Sequence, residues 1–166
     1  MENALAIANY FIKKSFDTGE PVTNMKLVKL VYIAHGWYLG LSGQPLLTEP
    51  VEAWKYGPVV PSVYYSFKDY GGEAIRQMAT TGGATHETGS VPLADAELVP
   101  FLDKIWEVYG QFSGVDLSAM THQDHTPWKK VWDTQGKHSN NVIIPNDLIK
   151  EYYQKLVNAP HAAQSA

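Results

Sequence analysis

A mainly α-helical fold, built around one buried central helix with a small inserted β element, is what this sequence predicts. Three features carry the prediction. Apolar residues recur at helical spacing along most of the chain. One stretch, about 23–42, carries two adjacent apolar stripes instead of one, which places it inside the fold. Only about 46–56 reads as extended chain, so a β-rich fold is excluded.

The first helix is expected over about Glu2 to Asp17, with Ala4, Leu5, Ile7, Ala8, Phe11 and Ile12 inward and Asn9, Lys13 and Lys14 on the wet side. Thr18-Gly19-Glu20-Pro21 ends it, because glycine suits a C-cap and proline bars continuation. Thr23 is the N-cap of the central helix, which runs to about Ser42. Its stripes are Leu27, Leu30, Val31, Ala34, Tyr38 and Leu41, and beside them Val28, Tyr32, His35 and Leu39. After Gly43-Gln44-Pro45, two extended segments follow, Leu46 to Thr48 and Val51 to Lys55, the second with Glu52, Trp54 and Tyr56 on one side. Gly57-Pro58 reads as a turn, and Pro58 or Pro61 opens a third helix through Val63, Tyr64 and Phe67 to about Tyr70.

Thr80 to Ser90 reads as a long mobile loop or a hairpin tip. Further helices are expected over Asp95 to Tyr109 (Leu98, Leu102, Ile105 and Val108 or Tyr109 inward), from Ser113 to His122, from Thr126-Pro127, and over Pro145 to Asn158. Residues 1–158 then form one domain, and 159–166 a flexible C-terminal tail.

Composition narrows the function. The 166 residues are 45% hydrophobic and 18% charged, the balance of a folded protein. There are no cysteines, which excludes disulfides and Cys-containing zinc sites. No basic-then-apolar leader opens the chain and no window approaches ~18 uninterrupted apolar residues, so a cytoplasmic, non-membrane protein is expected. Net charge is −4, and Arg76 is the only arginine. Arginine's planar fork is the usual grip on phosphates and guanine edges, so no nucleic-acid partner is expected.

Few side chains are arranged for chemistry. His122 and His125, with Asp124 between, are the only cluster resembling a metal site, and they define the alternative of a small metal-dependent hydrolase. A catalytic zinc needs a third ligand, which the scattered other histidines do not supply, so neither metal nor cofactor is expected. His35 reads as a buried histidine hydrogen-bonded across the core, and Gly36 as a place where another helix approaches closely. Lys55-Tyr56-Gly57-Pro58 lacks the arrangement of a phosphate loop. Trp54 reads equally as core or as an anchor on a partner-binding face; Tyr56 and Tyr64 read as surface, and Trp128 and Trp132 as core. No catalytic residue is assigned.

The stretch Met25-Lys26-Leu27-Val28-Lys29-Leu30-Val31-Tyr32-Ile33-Ala34-His35-Gly36-Trp37-Tyr38-Leu39, followed by Ala53-Trp54-Lys55-Tyr56-Gly57-Pro58-Val59-Val60-Pro61, closely resembles the Panacea domain. That family comprises phage-associated GepA-like proteins and SocA-like antitoxins. Thr121-His122, Pro127-Trp128 and Ile143-Ile144-Pro145 before a tyrosine-bearing helix agree with it. The resemblance implies a non-enzymatic antitoxin that neutralises a cognate toxin, encoded by the adjacent gene, by forming a complex with it. One branch is similar to an adaptor that delivers its toxin to an AAA+ protease. Residues expected to meet the partner are Trp54, Lys55, Tyr56 and Tyr64; His35, Gly36, Gly57, Pro58, His122, Pro127 and Trp128 are expected to be structural.

Overall fold

Local capping sets the bounds of the first two helices. In the computed structural model, which describes residues 1–80 and 89–159, α1 spans Ala4–Thr18 and α2 spans Asn24–Ser42. Asn3 Oδ1 accepts the Leu5 N–H at 2.8 Å, and Thr23 Oγ1 accepts that of Lys26 at 3.3 Å. Each cap satisfies a donor that a helix start leaves without a partner, worth about 1 kcal/mol. Gly19 and Gly43 close the two helices at φ 75° and 76°.

The rest of the chain wraps α2. β1 (Val51–Trp54) pairs antiparallel with β2 (Gly57–Val59) on one side and with β3 (Ile143–Ile144) on the other, giving the order β2-β1-β3. α3 (Pro61–Phe67) follows β2 directly, with Pro61 in its first turn, and runs into a 3-10 turn over Lys68–Tyr70. After a 3-10 turn at Ala96–Leu98 come α4 (Val99–Tyr109), α5 (Gly114–Thr121), α6 (Pro127–Val131) with a π turn at Trp132–Gly136, and α7 (Asn146–Val157). α2 packs chiefly against α7 and α5. From Asn24 to Gly36 every residue of α2 is buried except Met25, which identifies it as the central helix.

Gly36 has the predicted role. A Cβ there would lie 2.1 Å from Cε2 of Tyr153, and one at Gly40 would lie 2.8 Å from Tyr153 Cβ. Two glycines one turn apart thus cut the groove in α2 that receives α7.

Several expectations need correction. Gly57-Pro58 is not the turn: Lys55 and Tyr56 make it, and Gly57 and Pro58 begin β2, paired with Trp54 and Ala53. The first helix starts at Ala4. Glu2 instead forms an isolated parallel bridge with Leu47, and its buried carboxylate accepts the N–H groups of Ala94 and Asp95. Asn9 is not wet. It is 4% exposed, donates to the carbonyls of Ala79 and Val91, and accepts from the Ala79 N–H. Leu41 is exposed; of the alternatives Val108 and Tyr109 it is Tyr109 that packs against the core, and Trp106 is buried as well. Thr80 and Ser90 pair in an antiparallel bridge; the rest of the expected loop, 81–88, and the tail, 160–166, lie outside the described residues.

Candidate partner-binding surface

The β1–β2 hairpin is short, and contacts from beneath add to its own ladder and to its pairing with β3. Three side chains from the helices beneath donate to its backbone carbonyls. Trp128 Nε1 reaches the Trp54 carbonyl at 2.6 Å, Ser118 Oγ the Tyr56 carbonyl at 2.9 Å, and Lys29 Nζ the Pro58 carbonyl at 2.9 Å. All three donors belong to buried residues. Trp54, Tyr56 and Pro58 alternate along the hairpin, so one donor from each of α6, α5 and α2 pins it at three successive points. Gly57 completes the fit: its φ is +116°, and an added Cβ would meet Lys29 Nζ at 2.7 Å.

Pinned in this way, the hairpin and α3 present aromatic side chains to solvent. Tyr56 is 63% exposed, Tyr65 58% and Tyr64 36%. The rings of Trp54, Tyr64 and Tyr65 meet edge to face, with centroids 5.0 Å (Trp54–Tyr64), 5.9 Å (Trp54–Tyr65) and 5.3 Å (Tyr64–Tyr65) apart. Trp54 is half-buried, and its Nε1 donates to Glu52 Oε2 at 2.7 Å. It is therefore both core-packed and part of the exposed cluster. Lys55 Nζ lies 5.5 Å from the ring centre of Tyr56, and Lys68 Nζ 5.7 Å from that of Tyr65. Trp54, Lys55, Tyr65, Trp132, Lys137 and His138 line an open groove of about 600 Å³ beside the cluster.

Trp54 and Tyr64 thus meet ring to ring, Lys55 lines the same groove as Trp54, and Tyr56 is exposed at the turn beside Lys55. Tyr65 belongs with them and was missed by the sequence reading. Its signal was there: Val63 and Phe67, four apart, mark the inner side of α3, and Tyr65 falls between them on the outer side.

The remaining motif residues make contacts within the fold. His35 is 1% exposed; its Nδ1 accepts the Leu47 N–H at 3.3 Å, so Nε2 carries the proton and donates to Asn146 Oδ1 at 2.9 Å. Burial pulls its pKa below the ordinary histidine value and so favours the neutral ring, an effect that the bond to Asn146 opposes in part. His122 Nδ1 bonds the Ser118 carbonyl, and its ring stands edge-on to Trp128 at 5.1 Å. Trp128 stacks on Trp132 at 5.5 Å, Pro127 is the first residue of α6, and Thr126 caps that helix. His125 is exposed at φ 68°. Among the described residues no three His, Cys, Asp or Glu side chains are grouped to hold a metal ion, and no helix is long and apolar enough to cross a membrane.

Comparison with known proteins agrees with the motif. The sequence model of the family described as "Antitoxin SocA-like, Panacea domain" matches residues 27–129. That span contains the core of α2, the hairpin, α3, and the start of α6. Antitoxin SocA of Caulobacter vibrioides (strain NA1000 / CB15N) is 32% identical over 158 residues, covering 92% of this chain and 82% of that relative. No solved structure matches the chain. The chain belongs to the Panacea-domain family of SocA-like antitoxins.

Proposed function

We propose that this protein is an antitoxin that neutralises a cognate toxin by direct contact, through the face formed by the β1–β2 hairpin and α3. The observation that carries the reading is the ring cluster of Trp54, Tyr64 and Tyr65, with exposed Tyr56 on the adjoining turn, carried by α3 and by a hairpin pinned by Trp128, Ser118 and Lys29. Rigid aromatics with a polar tip lose little entropy on docking, and a preorganised backbone adds none. Lys55 and Lys68, set over tyrosine rings, give the face a basic rim. Burying ~1,200–2,000 Å² in total is typical of a stable complex and would cover a toxin's active site without chemistry from the antitoxin.

Co-expression with the product of the adjacent gene tests this. That product alone should arrest growth; with this protein it should be tolerated and should co-purify. The double variant Tyr56→Ala/Tyr65→Ala should remain folded and lose about tenfold or more in affinity. A neighbour that is harmless alone, or a double variant that protects as well as wild type, would overturn the assignment of this face. Toxin half-life, measured with and without the protein, separates masking (no change) from delivery to an AAA+ protease (shortening).

A further inference from the structure

Four tyrosines converge on a cleft that the hairpin face does not use. It lies between α2, α4, α5, α6 and α7 and has a volume of about 310 Å³. Its walls include Tyr32, Trp37, Tyr109, Gln123, Tyr152 and Tyr153, and none of its lining residues is charged at neutral pH. The volume is at the lower end of the ~300–1,000 Å³ range of small-ligand sites. The rings form a box around Tyr153, with Trp37 at 5.4 Å, Tyr152 at 5.2 Å and Tyr32 at 6.3 Å, all edge to face.

The hydroxyls show what the cleft lacks. Tyr109 Oη accepts from Trp37 Nε1 at 2.8 Å. The hydroxyls of Tyr32 and Tyr153 make no hydrogen bond to the described residues; both side chains are almost wholly buried, yet neither hydroxyl is among the fully buried atoms without a partner, so each opens onto the cleft. A hydroxyl at a cleft wall is a donor that a bound molecule can use. Burial pushes the pKa of all four tyrosines upward, so at neutral pH each is an uncharged donor. The cleft also joins three separate stretches of the sequence motif: Tyr32 to Trp37, Thr121 with Pro127, and the tyrosines of α7.

We propose that this cleft is a binding site for a small uncharged ring molecule with a hydrogen-bond acceptor on its edge, of the nucleobase or carboxamide-heterocycle class. The ring packs among Trp37, Tyr152 and Tyr153, and its acceptor takes the free hydroxyls of Tyr32 and Tyr153. An anionic ligand is disfavoured, because no cation lines the cleft to offset its desolvation. The cleft shares no lining residue with the hairpin face, so this inference does not rest on the antitoxin reading.

The test uses the full chain, titrated with adenine, uracil, nicotinamide and nicotinate and followed by tryptophan fluorescence and two-dimensional NMR. At least one of the three neutral probes should saturate below about 10 mM, the affinity range of fragments this small. Nicotinate, with nicotinamide's shape and a negative charge, should bind more weakly than nicotinamide. Tyr32→Phe/Tyr153→Phe, which keeps the ring volume, should weaken the bound probe about tenfold. Met120→Trp, which fills the cleft, should abolish its binding. The proposal is overturned if no neutral probe saturates, if nicotinate binds as well as nicotinamide, or if the double Phe variant binds unchanged. Loss of toxin capture by folded Met120→Trp, with no probe binding, would instead make the cleft a pocket for a partner's side chain and would also overturn it.

Discussion

Lys29 is a buried amine with no acidic partner among the described residues, and this makes the pH dependence of stability a direct test of how the hairpin is held. The residue is 2% exposed, and its Nζ donates to the Pro58 carbonyl. Burial alone brings its pKa from 10.5 down to about 7. Below pH 7 both folded and unfolded chains hold the proton, and the cost of burying the charge is constant. Between pH 7 and 10 the unfolded chain keeps a proton that the folded chain has released. Stability therefore rises with pH across this window, by up to ~1.4 kcal/mol per unit. Half of the folded molecules are still protonated at pH 7, so the gain from pH 7 to 9 is about 2 kcal/mol. Lys29→Met keeps the stem and removes the titration. Urea unfolding of both proteins at pH 7, 8 and 9 gives the comparison, and the wild type should gain about 2 kcal/mol relative to the variant. Tyrosine ionisation in the unfolded chain enters only near pH 10 and cancels between the two proteins. Parallel pH profiles would refute the reasoning, because they would mean that Lys29 titrates alike in both states.

Gly36→Ala should destabilise by about 1–3 kcal/mol or more, since its Cβ would fall within the Tyr153 ring; each kcal/mol lowers the melting temperature by about 2–4 °C. An unchanged melting temperature would show that α7 can shift freely away from α2. Trp128→Phe removes the donor to the Trp54 carbonyl and should cost about 1–3 kcal/mol, with faster amide exchange in the hairpin than in α1. Uniform exchange across the two elements would count against the three-point clamp. Tyr56→Ala, at an exposed turn, should change stability by no more than about 0.5 kcal/mol in thermal melts, so any loss of protection in cells would report binding.

Much of the helical architecture was legible because its signals act within a few residues. Thr23 and Gly43 bound α2 where their cap chemistry places them, and Ser113 with Asp116 starts α5 through a reciprocal capping box. The exposed aromatic face was legible in part. Tyr56 and Tyr64 could be read as surface from the turn and helix around them, whereas Trp54 stayed ambiguous because it is half-buried and serves both core and cluster.

Two polar residues near the start of the chain were misread because their partners are far away in sequence. Asn9 satisfies backbone groups at Ala79 and Val91, 70 and 82 residues away, and Glu2 those at Ala94 and Asp95. Such side chains look solvent-facing until the distant backbone arrives. The same reason explains the hairpin: turn chemistry favours Gly57-Pro58, but pairing of Trp54 with Gly57, and Lys29 lying against Gly57, move the turn to Lys55 and Tyr56. The sequence by itself determined a helical fold around α2, the close approach allowed by Gly36, and, through its motif, the family. Only the tertiary structure decided that three buried donors pin the aromatic hairpin, that Tyr65 joins it, and that four tyrosines share a cleft. Helix periodicity is written in contacts three or four residues apart, whereas these sites exist only where segments far apart in the chain meet.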